Sequence, residues 1–323
     1  MCAVGGDPAH PDDAAPRHRD RDGDPFHIAI HTSGVRSVQA RVDGGERIAL
    51  ERDPRTGDWL GQVPVGSRYV VAVDDDRLAL DPRATEVWFP PGHSREANKP
   101  RNRVDPADFP RAVAAPWPTP RPQRHTSRPL VVYEAHVRGL TVCRPRGDAG
   151  TFRAAIDELG RLAEIGVSVL ELLPVHQFDP DEGNYWGYMP LVFGAVHRQY
   201  AATGHPAQEL ADLVSAAHDH DIEVWLDVVV NHTTESDRTG PSYSLRILDE
   251  REYYVVRPDG TYLDDAGTGN VVDAYSPQSR RLIMECLDRF ADLGVDGLRF
   301  DLAAVLARDP DFVRAIGDWG ERR

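Results

Sequence analysis

Gly297-Leu298-Arg299-Phe300-Asp301-Leu302-Ala303 is a short apolar run carrying an arginine and an aspartate two residues apart. Side chains alternate along a strand, so Arg299 and Asp301 fall on one face. Burying charge is costly unless the groups pair or do chemistry. A structural ion pair would satisfy that requirement alone. A second apolar run, 223–230, weighs against it, because it too ends in a polar cluster of Asp227, Asn231 and His232. Two strands delivering acid, base and amide groups at their C-terminal ends indicate one active site.

The surroundings of these runs fix the fold class. Strand-like runs at 131–137, 167–173, 223–230 and 297–302 alternate with helical patterns. Between the first two, Phe152, Ile156, Leu159 and Ala163 mark one face of a helix, and Gly166 is its stop. Before the fourth, Ser276-Pro277 supplies an N-cap and first-turn proline, Ile283, Leu287 and Phe290 line one face, and Gly294 ends the helix. Asp309-Pro310 opens a further helix with Phe312, Val313 and Ile316 inward. Apolar strands alternating with helices mean a parallel sheet with helices outside, and four such units make half of a TIM (β/α)8 barrel. The partial barrel is expected over 130–323.

Ahead of it, short β-like runs with turn signals predict a small antiparallel β-sandwich over 25–88. Residues 1–24, rich in Asp, Arg, His and Pro, read as a disordered tail without the apolar core of a signal peptide. Proline and arginine dominate 89–129, with Pro116, Pro118, Pro120 and Pro122 close together, which predicts a stiff connector without its own core.

The 323 residues carry 37 basic and 52 acidic side chains, a formal charge of −15, which argues against nucleic acid as a partner. Lys99 is the only lysine, a compositional bias and not a functional one. No run reaches membrane-spanning length. The three cysteines, Cys2, Cys143 and Cys286, are widely spaced and imply neither a disulfide framework nor a zinc site. Cys286 sits in a helical pattern as a small buried apolar residue. The default location is cytoplasmic.

A carboxylate beside a guanidinium suits attack on an oxocarbenium-like sugar centre, since the neighbouring charge favours the ionised form. Asn184-Tyr185-Trp186-Gly187-Tyr188 places three aromatics in one loop, suited to stacking on sugar rings. Tyr185 and Trp186 would equally serve to cap the barrel core. His136, His176 and His197 fit packed or solvent-facing positions, and His218 a solvated helix end. Glu134 and Glu171 lie within strands and can face the barrel interior. Asp227, Asn231 and His232 match neither a zinc motif nor a calcium loop, so no metal and no cofactor is expected.

These motifs resemble the α-amylase superfamily, glycoside hydrolase family 13. Asp227-Val-Val-Val-Asn231-His232 is similar to its first signature and 297–303 to its second. Tyr133-Glu-Ala-His-Val-Arg-Gly-Leu-Thr141, Glu171-Leu-Leu-Pro-Val175, the aromatic loop and Gly240-Pro-Ser-Tyr-Ser244 resemble bacterial glycogen debranching enzymes and isoamylases. The sandwich resembles the glycogen-binding module that precedes their barrel, with Leu78-Ala-Leu-Asp-Pro82 in the corresponding place. The resemblance implies retaining hydrolysis of α-1,6-glucosidic linkages in glycogen or another α-glucan, with no nucleic acid and no membrane as partner. Asp301 would be the nucleophile, and Arg299 would orient it and hold it ionised. His232 would bond the sugar, Tyr188 and Trp186 would stack on substrate, and Asp227 and Asn231 would brace the site. The family's general-acid Glu follows the fifth strand and its third carboxylate the seventh, both beyond Arg323, so a C-terminally truncated, inactive copy is expected. Trehalohydrolase or branching activity, and a non-catalytic glucan-binding role, remain as alternatives.

Overall fold

A computed structural model describes residues 25–323 apart from 75, 76, 103 and 146. The tail expected over 1–24 lies outside the described residues. In β1 (Phe26–Ile30) and β2 (Val38–Val42), every second side chain is buried, the signature of strands with one face on a core. They are followed by β3 (Arg47–Ala49), β4 (Glu51–Arg52), β5 (Trp59–Val63), β6 (Arg68–Val73), β7 (Arg77–Ala79), β8 (Glu86–Trp88) and β9 (Arg111–Val113). Two antiparallel sheets result, ordered β1-β5-β4 and β3-β2-β6-β9-β8, with β7 also paired to β6.

Strand β9 corrects the reading of 89–129 as a coreless connector. It pairs with both β6 and β8, and Phe109, Ala112 and Ala114 are buried in the sandwich. Beyond it the proline-rich stretch behaves as a strap. Prolines have no N–H for a ladder, so its other residues bond outward. Arg121 donates its backbone N–H to Asp292 (2.9 Å), and Gln123 and Thr126 donate to Val295 and Glu223 (2.6 Å each).

The second unit begins with β10 (Val132–Ala135), α1 (Val137–Thr141), α2 (Phe152–Ile156), α3 (Leu159–Glu164) and β11 (Val169–Leu172). The single helix expected over 152–163 is two. The Glu158 N–H reaches back to Ala155 and not one residue further, a tight turn that breaks the α-helical ladder. A hairpin of β12 (His176–Phe178) and β13 (Pro190–Val196) follows, then α4 (Pro206–Asp219) and β14 (Glu223–Val228). An excursion holding α5 (Leu245–Tyr253) leads to α6 (Pro277–Asp292), β15 (Gly297–Phe300), α7 (Ala303–Leu306) and α8 (Pro310–Glu321).

Strands β10, β11, β14 and β15 form one parallel sheet in sequence order, the first four strands of a (β/α)8 barrel. Leu170, Leu172, Val224 and Leu226 are fully buried on its outer face, in one core with Leu213 of α4 and Ile283, Leu287 and Phe290 of α6. Each such side chain contributes roughly 1.5–3 kcal/mol of hydrophobic stabilisation. The other face aligns Glu134 with Glu171, Glu171 with Trp225, and Asp227 with Arg299. Ser276 caps α6 through its hydroxyl, as its sequence predicts. On α8 the expectation fails for Val313, which is exposed; the helix buries only Phe312. His218 is likewise no free helix end, since its Nε2 meets Asp296 at 2.8 Å. Among the described residues, no helix is long and apolar enough to cross a membrane.

Candidate active site

The ends of β14 and β15 lie side by side because the two strands pair in parallel with Asp227 opposite Arg299. Arg299 Nη1 donates to both Asp227 carboxylate oxygens at 2.9 Å and to Asp301 Oδ1 at 3.1 Å. One guanidinium therefore joins the two carboxylates. Asp227 is buried, and its Oδ2 also accepts the Tyr188 hydroxyl at 2.6 Å. Burial pushes its carboxyl above the usual range, and the Tyr188 and Arg299 donors oppose that push. Pairing with Asp227 raises the Arg299 guanidinium in turn, which keeps it charged. Burial and the Asp227 bond hold the Tyr188 hydroxyl well above its ordinary value. It is a donor here, fixed in place.

Asp301 keeps 18 % of its side chain exposed, against 1 % for Asp227. Of the two carboxylates that Arg299 holds, only Asp301 is open to an incoming molecule. Its backbone is fixed from both sides: its N–H donates to Val228 at 3.0 Å, and its carbonyl accepts Asn231 Nδ2 at 2.6 Å. The next residue, Leu302, has φ of 47°, a left-handed conformation that a leucine adopts only under constraint. The chain turns sharply there, leaving Asp301 at the lip of the sheet.

His232 is buried, with Nδ1 against Asn231 Oδ1 and Nε2 2.7 Å from the Tyr188 carbonyl. Burial lowers its pKa, and the Tyr188 carbonyl opposes that shift. Both ring nitrogens already have partners within the protein. His232 thus links the strand end to the aromatic loop, and a sugar hydroxyl would have to compete with the Tyr188 carbonyl for Nε2.

The aromatic loop divides by exposure. Trp186 is 62 % exposed and Tyr185 49 %, whereas Tyr188 is half-buried and Gly187 buried. Gly187 has φ of 84°, and a Cβ there would stand 2.9 Å from the Pro174 carbonyl oxygen, so glycine alone fits this bend. Tyr185 stacks on His136 with ring centroids 4.0 Å apart, which supports the loop from β10's side. The histidines His176 and His197 are packed: His176 Nδ1 donates to Phe193 and Nε2 accepts the Val229 N–H at 2.9 Å. Glu171 sits on the open face, and burial with Glu134 and Asp227 nearby raises its carboxyl.

Sequence reasoning missed Glu235. Its buried carboxylate accepts the N–H groups of Tyr243 and Ser244 (2.7 Å each) and Arg246 (2.9 Å), and the Tyr254 hydroxyl (2.6 Å). Arg246 Nη2 returns to the Glu235 carbonyl at 2.6 Å. This pair ties down the long excursion that starts at Asn231-His232. Nothing periodic marks a loop hub; the only signal was the Gly240-Pro-Ser-Tyr-Ser244 motif that supplies two of the donors.

Residues 106–276 match the Alpha-amylase family, described as the alpha amylase catalytic domain. A glycogen debranching enzyme of Klebsiella pneumoniae (strain 342) is 33% identical over 344 residues, covering 92% of this chain and 51% of its own. One of Dickeya chrysanthemi is 36% identical over 329 residues, covering 90% and 50%. The chain spans about half the length of these curated relatives. Among solved structures, a pullulanase from Paenibacillus barengoltzii, in complex with maltohexaose and alpha-cyclodextrin, aligns with a TM-score of 0.72 at 22% identity. That alignment covers 91% of this chain and 50% of the pullulanase, and it establishes likeness of fold.

Proposed function

This chain belongs to the α-amylase family, and on that premise we propose that it carries the nucleophile side of a retaining glycosidase site. The substrate is the α-1,6 branch linkage of glycogen or a related α-glucan, as the similarity to glycogen debranching enzymes supports. The observation that carries the reading is the single Arg299 guanidinium bridging buried Asp227 and accessible Asp301.

In this reading Asp301 attacks the anomeric carbon and forms a β-glucosyl ester while the C–O bond to the leaving sugar breaks. Arg299 donates to the carboxylate that must stay aimed at that carbon, so the reacting atoms meet without a search of conformations. Asp227 spends its own charge on Arg299 and Tyr188 and acts as the brace. Tyr188 presents a ring whose orientation is pinned through its hydroxyl, and Trp186 offers an exposed face to a further glucose unit. Asn231 and His232 hold the backbone of Asp301 to the aromatic loop.

Protonation of the leaving oxygen needs a second carboxylic acid. Asp227 is committed to Arg299, and Glu171, though its carboxyl is raised, is level with Gly297 in the sheet and so lies four residues below Asp301, so the 323-residue polypeptide by itself is proposed to be inactive on glycogen. Product analysis of the protein as its cell makes it, on a branched against a linear α-glucan, tests the assignment. Release of linear chains from the branched substrate alone supports it; equal cleavage of both, or trehalose or new branches as products, overturns it.

A further inference from the structure

Four aromatic side chains are exposed among the described residues: Tyr133, Tyr185, Trp186 and Tyr275. The aromatic loop accounts for two. Tyr275, 62 % exposed, belongs to neither the motifs nor the carboxylate cluster. It stands immediately before the α6 N-cap Ser276, and therefore at the same end of the sheet as Asp301, because α6 runs back antiparallel to the strand that follows it.

An exposed tyrosine on a loose tail would swing freely. This one is held at both ends. Its backbone N–H donates to Asp273 Oδ1 at 2.9 Å, and its hydroxyl donates to the Arg308 carbonyl just beyond α7. The backbone beneath it is tied into the site, since the Val272 N–H donates to the Asn231 carbonyl at 2.8 Å. Arg308 in turn pairs with Asp265, both groups about 40% exposed. A largely exposed ring anchored through its hydroxyl to the backbone of Arg308, whose guanidinium pairs with Asp265, is the chemistry that takes a pyranose: the apolar face of the sugar stacks, and its hydroxyls bond to the charged rim.

The position relative to the reaction centre gives the site its meaning. Trp186 stands near Tyr188, with ring centroids 6.5 Å apart, and Tyr188 holds Asp227 of β14. Tyr275 contacts the segment that follows β15 and Asp301. The aromatic loop follows β11 and Tyr275 bonds the segment that follows β15, so along the strand order β11-β14-β15 the two platforms are attached on either side of Asp227 on β14. We propose that Tyr275, with Arg308 and Asp265, forms an outer glucose-binding subsite on the far side of Asp301 from Trp186. A branched glucan carries chain on both sides of its scissile bond, and the two platforms would engage both segments. The inference rests on the α-glucan reading above.

The test is calorimetric titration of the 323-residue chain with maltoheptaose. The wild type binds it; Tyr275→Ala, with an unchanged thermal melt, weakens binding about threefold to tenfold. Tyr275→Phe keeps the ring but loses its anchor on the Arg308 carbonyl, so it weakens binding less than Tyr275→Ala does, and Trp186→Ala weakens binding independently. Wild-type affinity for Tyr275→Ala beside a weakened Trp186→Ala overturns the subsite and leaves the glucan reading standing. No binding by the folded wild type overturns both. A measurement that needs no stable alanine variant uses chain labelled at tyrosine: the ring resonance that Tyr275→Phe deletes must shift on adding maltoheptaose, and a stationary resonance overturns the proposal.

Discussion

Glu235→Ala should be the most damaging single change in the loop that carries Asn231 and His232. Four donors converge on this carboxylate, three of them backbone N–H groups and two of those, on Tyr243 and Ser244, in buried residues. The Tyr254 hydroxyl retains Thr233 Oγ1 at 2.6 Å after the change, so it is not orphaned. Three stranded N–H groups at about 1–3 kcal/mol each set an upper bound of about 9 kcal/mol. Local opening to water recovers part of that, and the expected loss is about 3–5 kcal/mol, a large share of an ordinary domain's stability. Glu235→Gln keeps one acceptor oxygen but turns an NH2 toward donors, so about half the loss should appear. Urea unfolding followed by tryptophan fluorescence and far-ultraviolet circular dichroism measures both. A loss below about 1 kcal/mol for Glu235→Ala would show that the carboxylate does not organise the excursion.

Three further outcomes are expected. Buried His176, whose pKa burial pushes down to about 4 from 6.5, favours the fold fully above pH 6.5, and that contribution of about 3 kcal/mol is lost as pH falls toward 4; His176→Gln should flatten this part of the stability–pH curve, and an unaltered curve would contradict the assignment. Tyr188→Ala, in the protein as its cell makes it, should lower catalytic efficiency on a branched glucan by about tenfold to a hundredfold; unchanged kinetics would leave Tyr188 a packing residue. Strands β10 and β15 are open edges of the parallel sheet, and Leu130, Val131, Val132 and Tyr133 are exposed beside β10, so the 323-residue chain should self-associate and Val132→Lys should reduce it; a monodisperse wild-type monomer in sedimentation would refute this.

What the sequence disclosed follows from which forces are local. Runs such as 223–230 read as strands of a parallel sheet because they are short, largely apolar and alternate with helical patterns, and Ser276-Pro277 read as a helix start because a cap acts within three residues. That Asp227, Arg299 and Asp301 belong to one site followed once both runs were read as strands of one parallel sheet, whereas the register that sets Asp227 opposite Arg299 came from the structure. Features that depend on distant partners stayed hidden. Strand β9 sits in a proline-rich stretch whose composition argues against a strand, and it forms because β6 and β8 offer unpaired edges. Val313 looked inward by helical spacing, yet α8 meets α6 through Phe312 beneath Arg280 and through Trp319 on Asp288, and Val313 is left exposed. The resemblance implies that His232 bonds a sugar, and nothing in the motif says that the Tyr188 carbonyl also meets its second nitrogen. Glu235 and Asp296 gather donors from segments far apart in the chain, and no spacing rule sees such hubs.

The account turns on Asp301 as nucleophile, and an activated substrate tests that alone. α-Glucosyl fluoride has a leaving group that needs little protonation, so attack does not require the second carboxylic acid. Intact-mass and peptide analysis of the folded 323-residue chain should find one glucosyl unit esterified to Asp301, accumulating slowly and absent from Asp301→Ala. A folded chain that stays unlabelled, a glucosyl group on any other carboxylate, or hydrolysis of glycogen by this polypeptide would contradict the account.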